Sequence, residues 1–477
     1  MSFIETAITT VNNLIWSTPM IVICLLAGVY FSIRMKFPQL RLLKHTFGLL
    51  VHGETDENGI TPFQAFATTV GARVGMGNIA GVATAIYFSG PGAVFWMWLL
   101  ALIGSASSFV ECALAQAYKS KDGGQYTGGP AYYIEKGLKC KPYGIAFAIA
   151  AILGPGLFMP GVQTYSVAST VSEAFSVGMT PVTIVFCIIV AIVICGGIKR
   201  IGRIAEVIAP FMCAVYLIMT IIILVLFADR IPTVFAMIFK SAFGFEQAFA
   251  GIMGSTIAWG IKRGVYSNEA GQGSGAIVAA SASCKHPAEQ GLIQSLSVII
   301  DTLLVCTCSA LIILLTETYN VVDASGSFIV SNVPDVEYGI LWAQNALVNG
   351  LGANWVGQVL SAIVVLFVFT SLLGYYYQAE SNVTYIFKNS KTAIWVFRVI
   401  FILSNLAGVV VTNDTIWTMG DLGCGLMTWL NVIAILLLST KGIRLLKDYE
   451  EKLKSGKEMS FDPAAVGIED KDGVWSK

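Results

Sequence analysis

What most limits this chain is a succession of apolar runs, each near the ~20 residues that a helix needs to cross a bilayer. Eleven can be counted, over 14–33, 63–88, 92–117, 143–172, 180–198, 205–228, 243–264, 289–316, 353–379, 392–411 and 415–440. Only 12% of the residues are charged and the mean hydropathy is +0.73, whereas soluble domains carry about 25% charged residues. Helices satisfy their own backbone in lipid, so the chain reads as an all-α polytopic membrane protein with about eleven transmembrane helices. No basic stretch precedes the first run, which therefore reads as a retained span and not as a cleaved signal.

Composition excludes several classes of function. The formal net charge is zero, which gives nucleic acid no reason to bind. Ten cysteines without a CxxC pair, and only three histidines, argue against a disulfide framework or a metal centre. There is no GxxxxGK[ST] loop and no Gly-x-Ser-x-Gly elbow, and Gly271-Gln272-Gly273-Ser274-Gly275 lacks catalytic spacing. The chain is expected to be neither an enzyme nor an ATP-driven pump, and to need no cofactor.

Basic residues collect on the side that receives Arg34, Lys36, Arg41 and Lys44, the 119–141 loop, Lys199, Arg200, Arg203, Lys262, Arg263 and Lys285. The 317–350 connection on the other side carries none. The positive-inside rule then places the N-terminus outside and the C-terminus in the cytoplasm. The charged tail from 441 reads as a cytoplasmic helix followed by disorder.

Two runs should not stay helical throughout. In the first, Gly75 and Gly77 bracket a methionine, Gly71 and Gly81 loosen the flanks, and Arg73 and Asn78 sit beside the weak point. In the second, the weak points are Gly251, Gly254 and Gly260, with unwinding expected near Gly251–Gly254. Broken backbone at membrane depth is tolerated only in protein or around a cavity. Counted after the N-terminal helix, these are the first and sixth segments, the arrangement of five-plus-five inverted repeats with a site between them. Two unrelated packing motifs would give the same glycines. A kink is expected in the fourth run at Gly154, Pro155, Gly156 and Pro160.

Five strings in order carry a resemblance: Val74-Gly75-Met76-Gly77-Asn78-Ile79-Ala80-Gly81, Gly128-Gly129-Pro130-Ala131-Tyr132-Tyr133, Gly196-Gly197-Ile198-Lys199-Arg200, Arg263-Gly264-Val265-Tyr266-Ser267-Asn268-Glu269-Ala270-Gly271, and His286-Pro287 with Gln290-Gly291. Over roughly 60–440 the chain resembles the alanine or glycine:cation symporter family. That resemblance implies a LeuT-type fold with one extra N-terminal helix. It divides the chain into 1–62 (extra helix and cytoplasmic loop), 63–440 (ten-helix core) and 441–477 (tail).

It also implies a function: import of a small neutral amino acid of the alanine or glycine class with sodium as co-substrate, across a prokaryotic plasma membrane. By resemblance to LeuT-type carriers, the Gly71, Val74 and Phe367 carbonyls and the Thr370 and Ser371 hydroxyls would hold one sodium. The Asn78 amide oxygen would face a second sodium. Hydroxyls at 370 and 371 can also bond back to their own helix. The substrate would lie between Gly75, Gly77 and Asn78, Gly251 of the second broken run, and Gln163, Ser371 and Tyr375. Tyr375 stands where the family has Trp, and Pro160 and Tyr165 replace usual asparagines, so these departures fall on the pocket.

Charged groups in apolar surroundings are functional candidates. Glu111 is one such candidate, Asp301 can couple an ion or pair with a helix end or a buried base, and Glu269 can serve an intracellular gate or sit in a solvated loop. Arg73 can clamp a substrate carboxylate, abut a cation site or brace its helix against carbonyls. The competing reading is a sodium-independent or proton-coupled carrier or exchanger in which Arg73 replaces a cation.

Overall fold

The computed structural model describes residues 3–51, 56–456 and 459–475. Among these, eight helices are long and apolar enough to cross a bilayer: Glu5–Arg34, Ala93–Ala117, Lys141–Phe175, Gly197–Leu226, Pro287–Leu315, Trp355–Phe387, Lys391–Val410 and Asn413–Leu437. The other three runs read from the sequence take different forms. Met179–Ile194 is a shorter apolar helix. The remaining two are divided, as Pro62–Arg73 with Met76–Ser89, and as Met253–Asn268 with Ser274–Ala280.

The Ala93–Ala117 helix is the buried axis. It packs against Pro287–Ile299, Met253–Asn268 and Thr18–Arg34, and its second half, rich in Ser, Ala and Gly, lets those neighbours approach closely. The N-terminal helices are pinned to Asn413–Leu437: Trp16 Nε1 donates to the Asp421 carbonyl at 2.9 Å, and Trp429 Nε1 to the Ile15 carbonyl at 2.9 Å. The expected kink in the fourth run is a π-helical turn, Gly154–Phe158, closed by Met159 N–H to the Gly154 carbonyl at 3.0 Å. Pro160 then opens the next helix, Pro160–Phe175. A Cβ at Gly423 would lie 2.6 Å from Gly154 Cα, so two glycines set this crossing.

At one end of the bundle, the 316–351 connection forms a hairpin, Asn320–Val322 with Phe328–Ser331, and a helix, Ile340–Leu351. It covers the end of Met76–Ser89, where Tyr87 stacks on Tyr338 and Phe88 on Trp259, each with centroids 4.5 Å apart. At the other end, the tail departs from expectation. Its helix, Ser439–Ser455, forms, but 459–475 packs back instead of running free: Phe461, Val466 and Ile468 are buried. Lys119 Nζ sits 3.8 Å from the Tyr126 ring and 4.7 Å from the Trp475 ring. The tail's charge run hides these widely spaced apolar anchors. The expectation of disorder at 457–458 and 476–477 lies outside the described residues.

Candidate functional site

The first break is short. Thr61 and Gln64 close a capping box that starts Pro62–Arg73. The helix ends where Val74 N–H bonds the Val70 carbonyl at 2.7 Å. Val74 (φ −73, ψ 83) and Gly75 (φ −139, ψ −146) are non-helical, and Met76 begins the next helix. The unwinding expected over Gly75–Asn78 is therefore confined to Val74–Gly75. Asn78 explains the early restart: its Oδ1 accepts the Gly75 N–H at 3.1 Å, capping the new helix.

Around this break the structure gathers most of the residues singled out in the sequence. A Cβ at Gly75 would overlap Ser371 Oγ and lie 3.2 Å from Gln163 Oε1. Gln163 accepts from Met76 N–H at 3.3 Å and donates to Tyr375 OH at 3.3 Å, tying the break to the Trp355–Phe387 helix. Ser371 Oγ donates to the Gly71 carbonyl at 3.1 Å. Thr370 Oγ1 donates to the Phe367 carbonyl of its own helix at 3.0 Å, and a Cβ at Gly71 would lie 3.5 Å from that oxygen. Thus both hydroxyl behaviours occur side by side: Thr370 bonds back and Ser371 reaches across. Gly77 faces the other broken run, since a Cβ there would lie 3.0 Å from Ser267 Cα.

Asp301 joins the two runs. It sits in a π-helical turn, Ile300–Cys306. Its Oδ1 accepts from Asn78 Nδ2 at 2.7 Å, and its Oδ2 accepts from Ser267 Oγ at 2.8 Å and Thr302 Oγ1 at 3.0 Å. Both lone-pair faces of a fully buried carboxylate are thereby occupied.

The second break is not where the glycine count placed it. Gly251 and Gly254 bracket the start of Met253–Asn268; Gly251 lies in a 3₁₀ turn, Gln247–Ile252, with nothing within 4 Å of a Cβ at either glycine. Gly251 is therefore not brought to the site. The chain leaves the helix at Glu269 (φ 55), and Gly271 (φ 82) and Gly273 (φ 86) complete a five-residue break before Ser274–Ala280. What allows it is a set of remote partners for the freed backbone. Glu111 Oε1 accepts the Gly271 N–H at 3.4 Å and Oε2 the Gly273 N–H at 3.1 Å. Asn431 Nδ2 donates to Glu111 Oε2 at 2.6 Å and to the Gly271 carbonyl at 2.9 Å, and Tyr133 OH donates to Asn431 Oδ1.

Arg73 spans the space between the breaks. Its Nη1 donates to the Gln294 carbonyl at 3.2 Å and to Ser297 Oγ, its Nη2 donates to Ser108 Oγ at 3.3 Å, and its Nε lies 3.9 Å from Glu269 Oε2. Glu269 is fully buried, not a solvated loop residue, and also accepts from Ser274 Oγ at 2.6 Å. The Gln378 side-chain amide lies beside the Glu269 carboxyl, and both residues are fully buried.

A second charged cluster was misplaced by sequence reading. Lys262 and Arg263, read as facing the basic side of the membrane, are turned into the protein within Met253–Asn268 and share Asp421 Oδ2, Lys262 at 2.6 Å. The Arg263 guanidinium lies 4.7 Å from the Trp417 ring centroid and 5.3 Å from those of Trp259 and Tyr266. A lone aspartate in the last apolar run was the available signal.

Four likenesses accompany this geometry. Residues 1–463 match the family described as the sodium:alanine symporter family. The chain is 46% identical over 475 residues to the putative sodium/proton-dependent alanine carrier protein YrbD of Bacillus subtilis (strain 168), covering 98% of this chain and 97% of that one. It is 40% identical to the probable sodium/glutamine symporter GlnT of the same organism, over 94% and 91% of the two chains. A solved Na+-coupled sialic acid symporter, at 12% identity, superimposes with a TM-score of 0.50 over 98% of this chain and 95% of that one, a likeness of fold.

Proposed function

Since the chain belongs to the sodium:alanine symporter family, whose members are transporters and not enzymes, we propose that it imports a small neutral amino acid, of the alanine or glycine class, with sodium. The observation that carries this is the Ser371 hydroxyl meeting the Gly71 carbonyl at the first break. Sodium is a hard cation that prefers oxygen. The Gly71, Val74 and Phe367 carbonyls with the Thr370 and Ser371 hydroxyls offer five such oxygens on two neighbouring elements. A hydrogen bond between two of them is the contact that an arriving ion replaces. The one remaining lone pair of Asn78 Oδ1 is the oxygen offered to a second sodium.

The substrate carboxylate is read as binding at the N-terminus of Met76–Ser89, where the helix dipole favours an anion. There it competes with Gln163 Oε1 for the Met76 N–H. Gln163 and Tyr375 then turn to its polar groups. The close packing of Gly75 against Ser371 and Gln163 restricts the side chain that fits. Sodium and substrate raise each other's affinity by the same factor.

The core is read as five-plus-five inverted repeats within eleven spans, N-terminus outside, C-terminus cytoplasmic. On that reading the Arg263–Asp421 cluster and the 316–351 cover close the outer path, and the Arg73–Glu269 pair closes the inner one. The rival reading, with Arg73 in place of a cation, is disfavoured by the direction of its guanidinium. Its bonds run to Gln294, Ser297 and Ser108, and not to Thr370 or Ser371.

The test is purified protein in liposomes, challenged with labelled alanine, glycine and glutamine with and without an inward sodium gradient. Concentrative, sodium-dependent uptake of alanine or glycine is expected. Uptake equal in sodium and in choline medium would transfer the assignment to an exchanger or a proton-coupled carrier.

A further inference from the structure

A cleft of about 280 Å³ opens where the N-terminal helix ends, between Arg34, Lys36 and Arg41 on one side and Lys447 and Lys454 of the Ser439–Ser455 helix on the other. Five bases line it against two acids, Glu450 and Glu451. Glu450 is already engaged by Arg41 at 2.6 Å. Lys447 and Lys454 are seven positions apart and so share one face of their helix. The floor is apolar: Met35, Ile443 and Leu446 line it and are buried.

The position of the cleft decides what can fill it. Arg34 is the last residue of a membrane span, Glu5–Arg34, so the bases stand at the level where lipid headgroups lie. Beside them Ile33, Phe37, Leu40 and Phe47 are exposed, at 60%, 42%, 54% and 51%. Large apolar side chains clustered on a short basic segment belong at the boundary between headgroups and acyl chains, not in water. A ligand with a phosphate at the bases and hydrocarbon against these residues matches both halves of the surface.

We propose that this cleft binds the phosphate of an anionic phospholipid, and that the lipid bridges the N-terminal span to the tail helix. The site is separate from the substrate and ion positions and does not depend on them. Each basic residue at a membrane surface contributes roughly fivefold in affinity for acidic lipid.

The test is native mass spectrometry of the full chain released from detergent with phosphatidylglycerol or phosphatidylcholine, beside the variant Lys36→Gln, Lys447→Gln, Lys454→Gln. These three side chains are exposed, so the variant should fold; Lys447→Gln alone serves where the triple variant does not. The native protein is expected to retain phosphatidylglycerol in preference to phosphatidylcholine. Retention should fall on the order of 100-fold in the triple variant, or about fivefold in the single one, with phosphatidylcholine unchanged. Equal retention by native protein and variant overturns the site. Displacement of the lipid by millimolar inorganic phosphate alone assigns the cleft to a free anion and overturns the lipid.

Discussion

The two breaks interrupt their helices by different chemistry. The first covers Val74 and Gly75, and the groups that meet its freed backbone are neutral: the Asn78 and Gln163 amides and the Ser371 hydroxyl. The second covers five residues, three with positive φ, and a buried carboxylate, Glu111, holds it with Asn431. Each hydrogen bond contributes about 0.5–1.5 kcal/mol net, and the second break is held by more of them. The first break is therefore the one whose partners an ion or a zwitterion can replace within a transport cycle. The second is the more firmly held, and Asp301, bonded to Asn78 and Ser267, connects the two runs.

The largest effect should come from loosening the second break. Glu111→Ala strands two backbone N–H groups and Asn431 in a dry interior. Each buried donor left without a partner costs about 1–3 kcal/mol. Thermal unfolding followed by gel filtration should show loss of folded protein, with Glu111→Gln intermediate because one acceptor survives. A Glu111→Ala protein that melts like the native one would remove the contrast between the breaks.

Next in size is a matched pair of glycine changes. Gly273→Ala meets both a positive φ of 86 and Pro130 Cγ at 2.5 Å. Left-handed strain and overpacking together cost about 2–4 kcal/mol, so folded yield should drop. Gly75 has a negative φ of −139, and its obstacle is the end of a serine side chain that can turn away. Gly75→Ala should fold and fail in uptake. The opposite outcome for either variant would exchange the roles of the two breaks.

Gln163→Ala removes two neutral bonds at the first break, a loss of about 1–3 kcal/mol. Initial uptake rates should fall about 30-fold with near-normal protein in the membrane. Equal loss of both would make Gln163 a tether between helices.

How far this contrast was legible in the sequence follows from where each break's partners lie. Apolar runs announce spans because a bilayer has one thickness. The first break was legible because Gly75 and its capping Asn78 are three residues apart, so cause and effect share one string. Gly251 and Gly254 point to the wrong place for the second, because glycine alone does not mark a break. Its cause is distant: Glu111 lies 160 positions from Gly271, and Asn431 lies 320 from Glu111. Lys262 and Arg263 were assigned to a cytoplasmic surface for the same reason, since Asp421 stands 158 positions from Arg263. Local pattern carries periodicity and caps, whereas a buried charge is explained only by the helix that packs against it.

The effect expected on sodium dependence is the one most specific to the first break. Ser371→Ala deletes one of the five proposed sodium oxygens and releases the Gly71 carbonyl. One contact to a charged group is worth about 1.5–3 kcal/mol, so the sodium concentration for half-maximal uptake should rise at least about tenfold. The serine is fully buried, yet losing a hydroxyl shrinks it little, so the melting temperature without sodium should stay close to native. Sodium itself should raise that temperature in the native protein and much less in the variant, because a ligand stabilises the state it binds. A variant with unchanged sodium dependence would mean that the Ser371–Gly71 bond only packs two helices. The ion would then have to be sought elsewhere, beginning with the buried Glu269 and Gln378 side chains.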